Sequence, residues 1–192
     1  MCNNRDMRRS IKIYFNAPIT LTFVGICIFA LILNYITLGD SNAYIFSTYA
    51  TNLLDPMTYV RLICHVFGHR DINHLISNAM YILLLGPILE DKYGKKLITV
   101  ILVTAVVTGV VHNILDPNTM LLGASGVVFA FILLASITGR NGIPITFILV
   151  ALLYLGNEIY SGIIMADNIS HLTHILGGLS GALLGFSFRS NR

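Results

Sequence analysis

Six stretches of this chain carry no charged residue and match the length of a bilayer-crossing helix. They cover 13–39 (27 residues), 72–89 (18), 97–115 (19), 117–139 (23), 141–157 (17) and 168–188 (21). A helix crossing the hydrocarbon core needs about 20 mostly apolar residues, with a range of roughly 17–25. A closed membrane barrel would instead show segments of about ten residues alternating apolar and polar, and no segment here alternates. Composition closes the other routes. Charged residues make up 11% of the chain, against about 25% in a soluble domain, and mean hydropathy is +0.77. So few charges cannot coat a soluble globule, and disorder needs low hydrophobicity. A net charge of +3 without a basic stripe interleaved with aromatics excludes a nucleic-acid binder. The expected fold is an all-α polytopic membrane protein forming one domain over 1–192. Its helices are expected at roughly 13–39, 72–89, 97–115, 123–139, 141–158 and 168–188.

Orientation follows from the positive residues. With the N-terminus in the cytoplasm, six crossings return the C-terminus there. The inner side then holds Arg5, Arg8, Arg9, Lys12, Lys92, Lys95, Lys96, Arg140, Arg189 and Arg192, while the outer side holds Arg61 and Arg70. The first span is too long for a signal-peptide core and lacks an A-x-A-like end, so it reads as a retained helix. The segment 40–71 becomes a long outer loop, moderately apolar (Tyr44, Phe46, Leu53, Leu54, Tyr59) and suited to lying partly in the interface. Cys2, Cys27 and Cys64 are an odd number without C-x-x-C spacing, so neither a disulfide framework nor a thiolate zinc site is indicated.

Polar groups inside apolar spans are costly and usually functional. The second span opens with His74 and Asn78, four apart and therefore on one helix face. They read either as interhelical hydrogen bonds that hold the bundle or as donors aimed at a shared acceptor. The fourth span opens with Gly123-Ala124-Ser125-Gly126. Small residues flanking this serine read either as close helix packing or as a hydroxyl at a helix N-terminus, where the dipole favours a developing oxyanion. The sixth span carries His171 and His174, then Gly177, Gly181 and Gly185 every four residues. That strip lets another helix approach closely, and it should tolerate alanine better than leucine. A serine within hydrogen-bond reach of a histidine is the minimal nucleophile–base pair. An isolated intramembrane histidine is equally a structural group or a metal ligand.

Together these motifs resemble the rhomboid intramembrane serine proteases in their compact six-helix form. The resemblance rests on the H-x-x-x-N of His74 and Asn78, the G-x-S-G at 123–126 with Gly123, Ser125 and Gly126, and the H-x-x-G-x-x-x-G of His174, Gly177 and Gly181. The G-x-x-x-E-x-x-x-G of Gly86, Glu90 and Gly94 closes the second span, and Arg61, His65 and His69 fall at similar spacing in the outer loop. The resemblance implies a Ser125–His174 dyad without a third acidic residue. It also implies an oxyanion site from His74, Asn78 and the Ser125 backbone N–H. Implied further are single-span membrane proteins as substrates, a site in the cell membrane opening to the outer side, and neither cofactor nor metal. Two positions depart from the family: Tyr59-Val60-Arg61 has no tryptophan ahead of the arginine, and Phe129 stands where many members carry tyrosine.

Three alternatives remain at this stage. One is an inactive rhomboid-like binding protein. A second is a metal or haem protein using His65, His69, His74, His171 and His174, against which H-E-x-x-H is absent and no acidic residue is expected beside His174. A transporter would show inverted repeats and broken helices in matched halves, and neither is found. His171, three residues before His174, is read as a cavity wall.

Overall fold

The computed structural model describes residues 14–137, 142–164 and 168–190. Arg5, Arg8, Arg9, Lys12, Arg140, Arg192 and Cys2, on which part of the orientation and cysteine readings rest, lie outside the described residues. Among those described the chain is all helical. In order come α1 (Pro18–Ile36), α2 (Asp40–Tyr44), α3 (Pro56–Cys64), a 3-10 turn at His65–Phe67, α4 (Ile72–Tyr93) and α5 (Lys96–Leu115). They are followed by α6 (Ser125–Ser136), α7 (Ile145–Ile164) and α8 (Asn168–Ser190). Among the described residues three helices, α1, α4 and α5, are long and apolar enough to cross a membrane. With its 12 residues, α6 rises only about 18 Å at 1.5 Å per residue, well short of a hydrocarbon core about 30 Å thick.

Several boundaries differ from the charge-delimited spans, each for a physical reason. Pro18 fixes the first turn of α1, and a left-handed turn at Leu38 and Gly39 (φ 53° and 105°) follows its end. Gly123, at φ 130°, keeps the turn ahead of α6 out of the helix, so α6 starts at Ser125. Two helices run through the acidic residues expected to end them: α4 continues past Glu90 to Tyr93, and α7 past Glu158 to Ile164. Both carboxylates are bonded inside the protein, so neither forces the chain out to water.

Glu90 binds the start of α1. Its Oε1 accepts from the Ile19 N–H and its Oε2 from the Thr20 N–H and Thr20 Oγ1, all at 2.9 Å. A helix leaves its first N–H groups without intrahelical partners and carries partial positive charge there, and a carboxylate answers both. Gly86, one turn earlier, permits this contact, since a Cβ there would lie 2.5 Å from Thr20 Cγ2. The sequence motif around Glu90 is thus a clamp between α4 and α1.

The bundle is organised around α8, which packs on α6, α5 and α7, while α1 packs on α4 and α4 on α6. Val127, Phe131 and Leu134 of α6 meet Leu97 and Val100 of α5 in the buried core. Ile76, Met80, Leu84 and Ile88, every fourth residue of α4, are each more than half exposed. In lipid this apolar stripe needs no cover. Helix association there is driven by packing and hydrogen bonds rather than by the hydrophobic effect.

Candidate active site

Ser125 is the first residue of α6. The loop ahead of it is tied to the 40–71 loop. Thr48 and Leu121 exchange both backbone hydrogen bonds at 2.9 Å, and the Gly123 N–H donates to the His65 carbonyl at 2.9 Å. Gly123 has a second reason to be glycine, because a Cβ there would lie 2.9 Å from the His74 ring.

His174 reaches Ser125 because α8 and α6 touch backbone to backbone. A Cβ on Gly177 would lie 2.4 Å from the Gly126 carbonyl oxygen, and one on Gly181 would lie 2.2 Å from that of Ala130. Even the methyl group of alanine is therefore obstructed on this strip, because the obstacle is main chain and cannot swing aside. The result is a 2.9 Å separation between His174 Nε2 and Ser125 Oγ. Phe129, one turn into α6, packs on the His174 ring with centroids 4.6 Å apart and planes tilted by 46°, and Tyr154 of α7 lies 4.4 Å from the Phe129 ring.

The opposite side belongs to α4. Asp71 caps this helix by accepting from the His74 N–H at 2.9 Å. That bond, aided by Arg70, holds its carboxyl below the usual carboxylate range. His74 and Asn78 line a cavity of about 1240 Å³ together with Ser125, Phe129 and His174. The cavity also reaches Asn42 and Arg70 of the outer loop. Asn78 Nδ2 donates to His69 Nε2 at 3.2 Å, a direction set because His69 Nδ1 donates to the Phe67 carbonyl at 3.0 Å. His65 Nε2 donates to the Ala105 carbonyl at 3.0 Å. Burial pushes His65 and His69 each down to about 4, so both are neutral struts at ordinary pH.

Arg61 fastens the 40–71 loop in the absence of a neighbouring tryptophan. Its Nη2 donates to Thr51 Oγ1 at 3.1 Å and to Asp55 Oδ2 at 3.4 Å, and its guanidinium lies 4.9 Å from the Tyr49 ring centre. Asp55 also caps α3, with Pro56 in the first turn.

Glu158 of α7 was not anticipated. It is 5% exposed, and its Oε2 lies 2.7 Å from His171 Nδ1 and 3.2 Å from His174 Nδ1. The expectation of no acidic neighbour for His174 is therefore corrected, and so is His171 as a mere wall residue. The available signal was a carboxylate at the end of an apolar run, which in a membrane asks for a partner.

Among the described residues, Glu158, His171 and His174 also form a group able to hold a metal ion, with ligand atoms within 4.8 Å of one another. The five histidines of the metal or haem reading do not converge. His65 and His69 are spent on backbone carbonyls, away from the His171–His174 pair.

A family profile for the Rhomboid domain matches residues 56–191. The chain belongs to the rhomboid family. It is 31% identical over 138 residues to Rhomboid-related protein 1 of Caenorhabditis elegans, covering 66% of this chain and 39% of that protein. It is 27% identical over 176 residues to rhomboid protease GlpG of Yersinia pestis, covering 88% of this chain and 62% of that one. The chain thus spans less than two thirds of the length of either relative. Family and apolar helices together make it a membrane protein, related to rhomboid proteases.

Proposed function

We infer that this rhomboid is an active intramembrane serine endopeptidase that cleaves transmembrane segments of single-span membrane proteins. The observation that carries the reading is the 2.9 Å contact between Ser125 Oγ and His174 Nε2, at a helix start facing a large polar-lined cavity. Serine is a poor nucleophile at neutral pH until a base takes its proton. In this reading Oγ attacks the scissile carbonyl carbon as its proton passes to Nε2, and the carbonyl electrons move onto oxygen. His74, Asn78 and the Ser125 N–H stabilise that oxyanion, and His174 then returns the proton to the leaving amine. Gly123, Gly126, Gly177 and Gly181 serve by close approach, Phe129 by stacking, and Glu90 and Arg61 by holding α1 and the outer loop.

The same reading has six crossings, with α6 covering only part of the fourth, both termini cytoplasmic and the cavity opening to the outer side of the cell membrane. The surplus of Lys and Arg on one side supports this orientation. The contact between the outer loop and the turn before Ser125 supports the placing of the cavity.

The test is cleavage of a single-span membrane protein by the purified enzyme in detergent and in bilayers, with the cut mapped by mass spectrometry. Ser125→Ala and His174→Ala should each reduce cleavage to background while inserting and melting normally, and a fluorophosphonate should label Ser125. Cleavage by Ser125→Ala at the wild-type rate would end the reading. An unlabelled, inactive wild type would favour a binding protein. Stoichiometric zinc or haem would favour the metal reading.

A further inference from the structure

Glu158 is a buried carboxylate on an apolar helix, and what surrounds it decides its role. Two imidazoles from the neighbouring helix converge on its Oε2, at 2.7 Å for His171 Nδ1 and 3.2 Å for His174 Nδ1. An ionised carboxylate stripped of water is expensive unless paired and hydrogen-bonded, and two ring N–H groups on one oxygen meet that need. One of the two rings is the ring that faces Ser125.

We propose that Glu158 is the positioning residue of a Ser125–His174–Glu158 triad, with His171 as the second donor that keeps the carboxylate aimed. The proposal rests on the Ser125–His174 reading above. A neutral imidazole carries its proton on either ring nitrogen, and the hydrogen bond made by one nitrogen decides which. An acceptor 3.2 Å from Nδ1 holds the proton there, which leaves the Nε2 lone pair pointing at Ser125 Oγ, 2.9 Å away. In the other tautomer Nε2 would carry a hydrogen and could only donate to the serine, which is the wrong direction for a base.

The carboxylate acts again as the reaction proceeds. When Nε2 takes the serine proton, an imidazolium forms in a site of low dielectric, where a nearby negative charge counts for far more than in water. The Nδ1 proton remains on His174, as in the serine triads known from other folds. Phe129 braces one side of the ring in a tilted contact at 4.6 Å, whereas Glu158 fixes its rotation. His171 stands nearly perpendicular to His174, with an interplanar angle of 89° and centroids 6.2 Å apart. Its own bond to Oε2 therefore limits the carboxylate's swing without covering the His174 face.

The test is made on the full chain in detergent and in bilayers. Glu158→Gln keeps the volume and removes the charge. It should lower kcat by roughly 10²–10⁴-fold, by analogy with loss of the acid in a serine triad, with KM within about threefold, because Glu158 touches no substrate. Glu158→Asp should recover part of that loss, and His171→Phe should cost less than Glu158→Gln. Spectra of ¹⁵N-labelled histidine should report the Nδ1–H form for His174 in the wild type and a mixture in Glu158→Gln. The wild-type spectrum is a readout that needs no variant to fold.

A wild-type His174 protonated at Nε2 would overturn the proposal, as would a Glu158→Gln enzyme with kcat within threefold of wild type. Equal rates for Glu158→Asp and Glu158→Gln would remove the role of charge and overturn it as well. Stoichiometric zinc lost from Glu158→Gln would make the cluster a metal site instead. In each case a dead Ser125→Ala preserves the Ser125–His174 reading, whereas an active Ser125→Ala removes both.

Discussion

On the α4 side of Ser125, imidazole and amide groups are steadied through the 40–71 loop. On the α7–α8 side, a buried carboxylate sits between two imidazoles on helices locked to the core. His74 and Asn78 depend on Asp71 and His69, which belong to the loop and its junction with α4. His174 depends on Gly177 and Gly181, whose backbones lie against α6. One flank is therefore held by a network of hydrogen bonds that loop movement can retune. The other is held by main-chain contact that has almost no freedom. The groups proposed to act only as charge develops stand on the adjustable flank, and the proposed proton acceptor stands on the fixed one.

The hardest blow to this contrast is a side chain between α6 and α8. Gly181→Leu should abolish both cleavage and cooperative melting. Gly181→Ala should itself lower stability by about 1–3 kcal/mol, the usual cost of overpacking a tight contact. Thermal unfolding in detergent measures both, and a Gly181→Ala protein with unchanged melting would break the claim of a rigid flank.

Next in size is the oxyanion side. Asn78→Ala should lose about 2.7–4 kcal/mol of transition-state stabilisation, or roughly 10²–10³ in kcat, with little change in KM. His74→Ala should lose more, because its ring also packs against Gly123 ahead of Ser125. Steady-state kinetics separate these effects. A raised KM with unchanged kcat for Asn78→Ala would make it a substrate contact.

A smaller effect is expected from pH on the loop flank. His65 and His69 are held down to about 4 from an ordinary 6.5, so unfolding of the loop takes up protons below 6.5. Loop stability should be full above that pH and decline progressively as pH falls towards 4. Limited proteolysis of 40–71 between pH 7.5 and 4.5 follows this directly. A cleavage pattern constant across the range would show that these histidines do not strut the loop. The smallest effect is Phe129→Tyr, which keeps the stacking on His174 and should change kcat by less than about threefold in the same assay.

The apolar runs, the paired motifs and the glycine strip were legible because each is a local pattern of fixed period. The His74–Asn78 face follows from spacing alone, whereas the start of α6 at Ser125 rather than at 123 is set by the positive φ of Gly123. Glu158 was not legible in the same way. Its partners lie 13 and 16 positions later on another helix, and no local period links them. Glu90 was obscured likewise, because its partners at the start of α1 lie 70 and 71 positions away. Counting spans from charge to charge treats an acidic residue as an end. Here both acids lie within helices because distant groups satisfy them. The loop helix α3 was readable from the Asp55–Pro56 start signal, but it was hidden by treating 40–71 as one connection.

The main-chain contact between α6 and α8 also bears on how the lipid acts. Bilayers of different thickness exert hydrophobic mismatch on spanning helices, which respond chiefly by tilting. Two helices that meet at their backbones cannot slide or part without opening a void, so tilt is taken up by helices packed through side chains. The separation of Ser125 and His174 is in effect a ruler that thickness does not stretch. A lipid series from short to long acyl chains should therefore alter how readily a substrate reaches the cavity and leave the chemical step nearly constant.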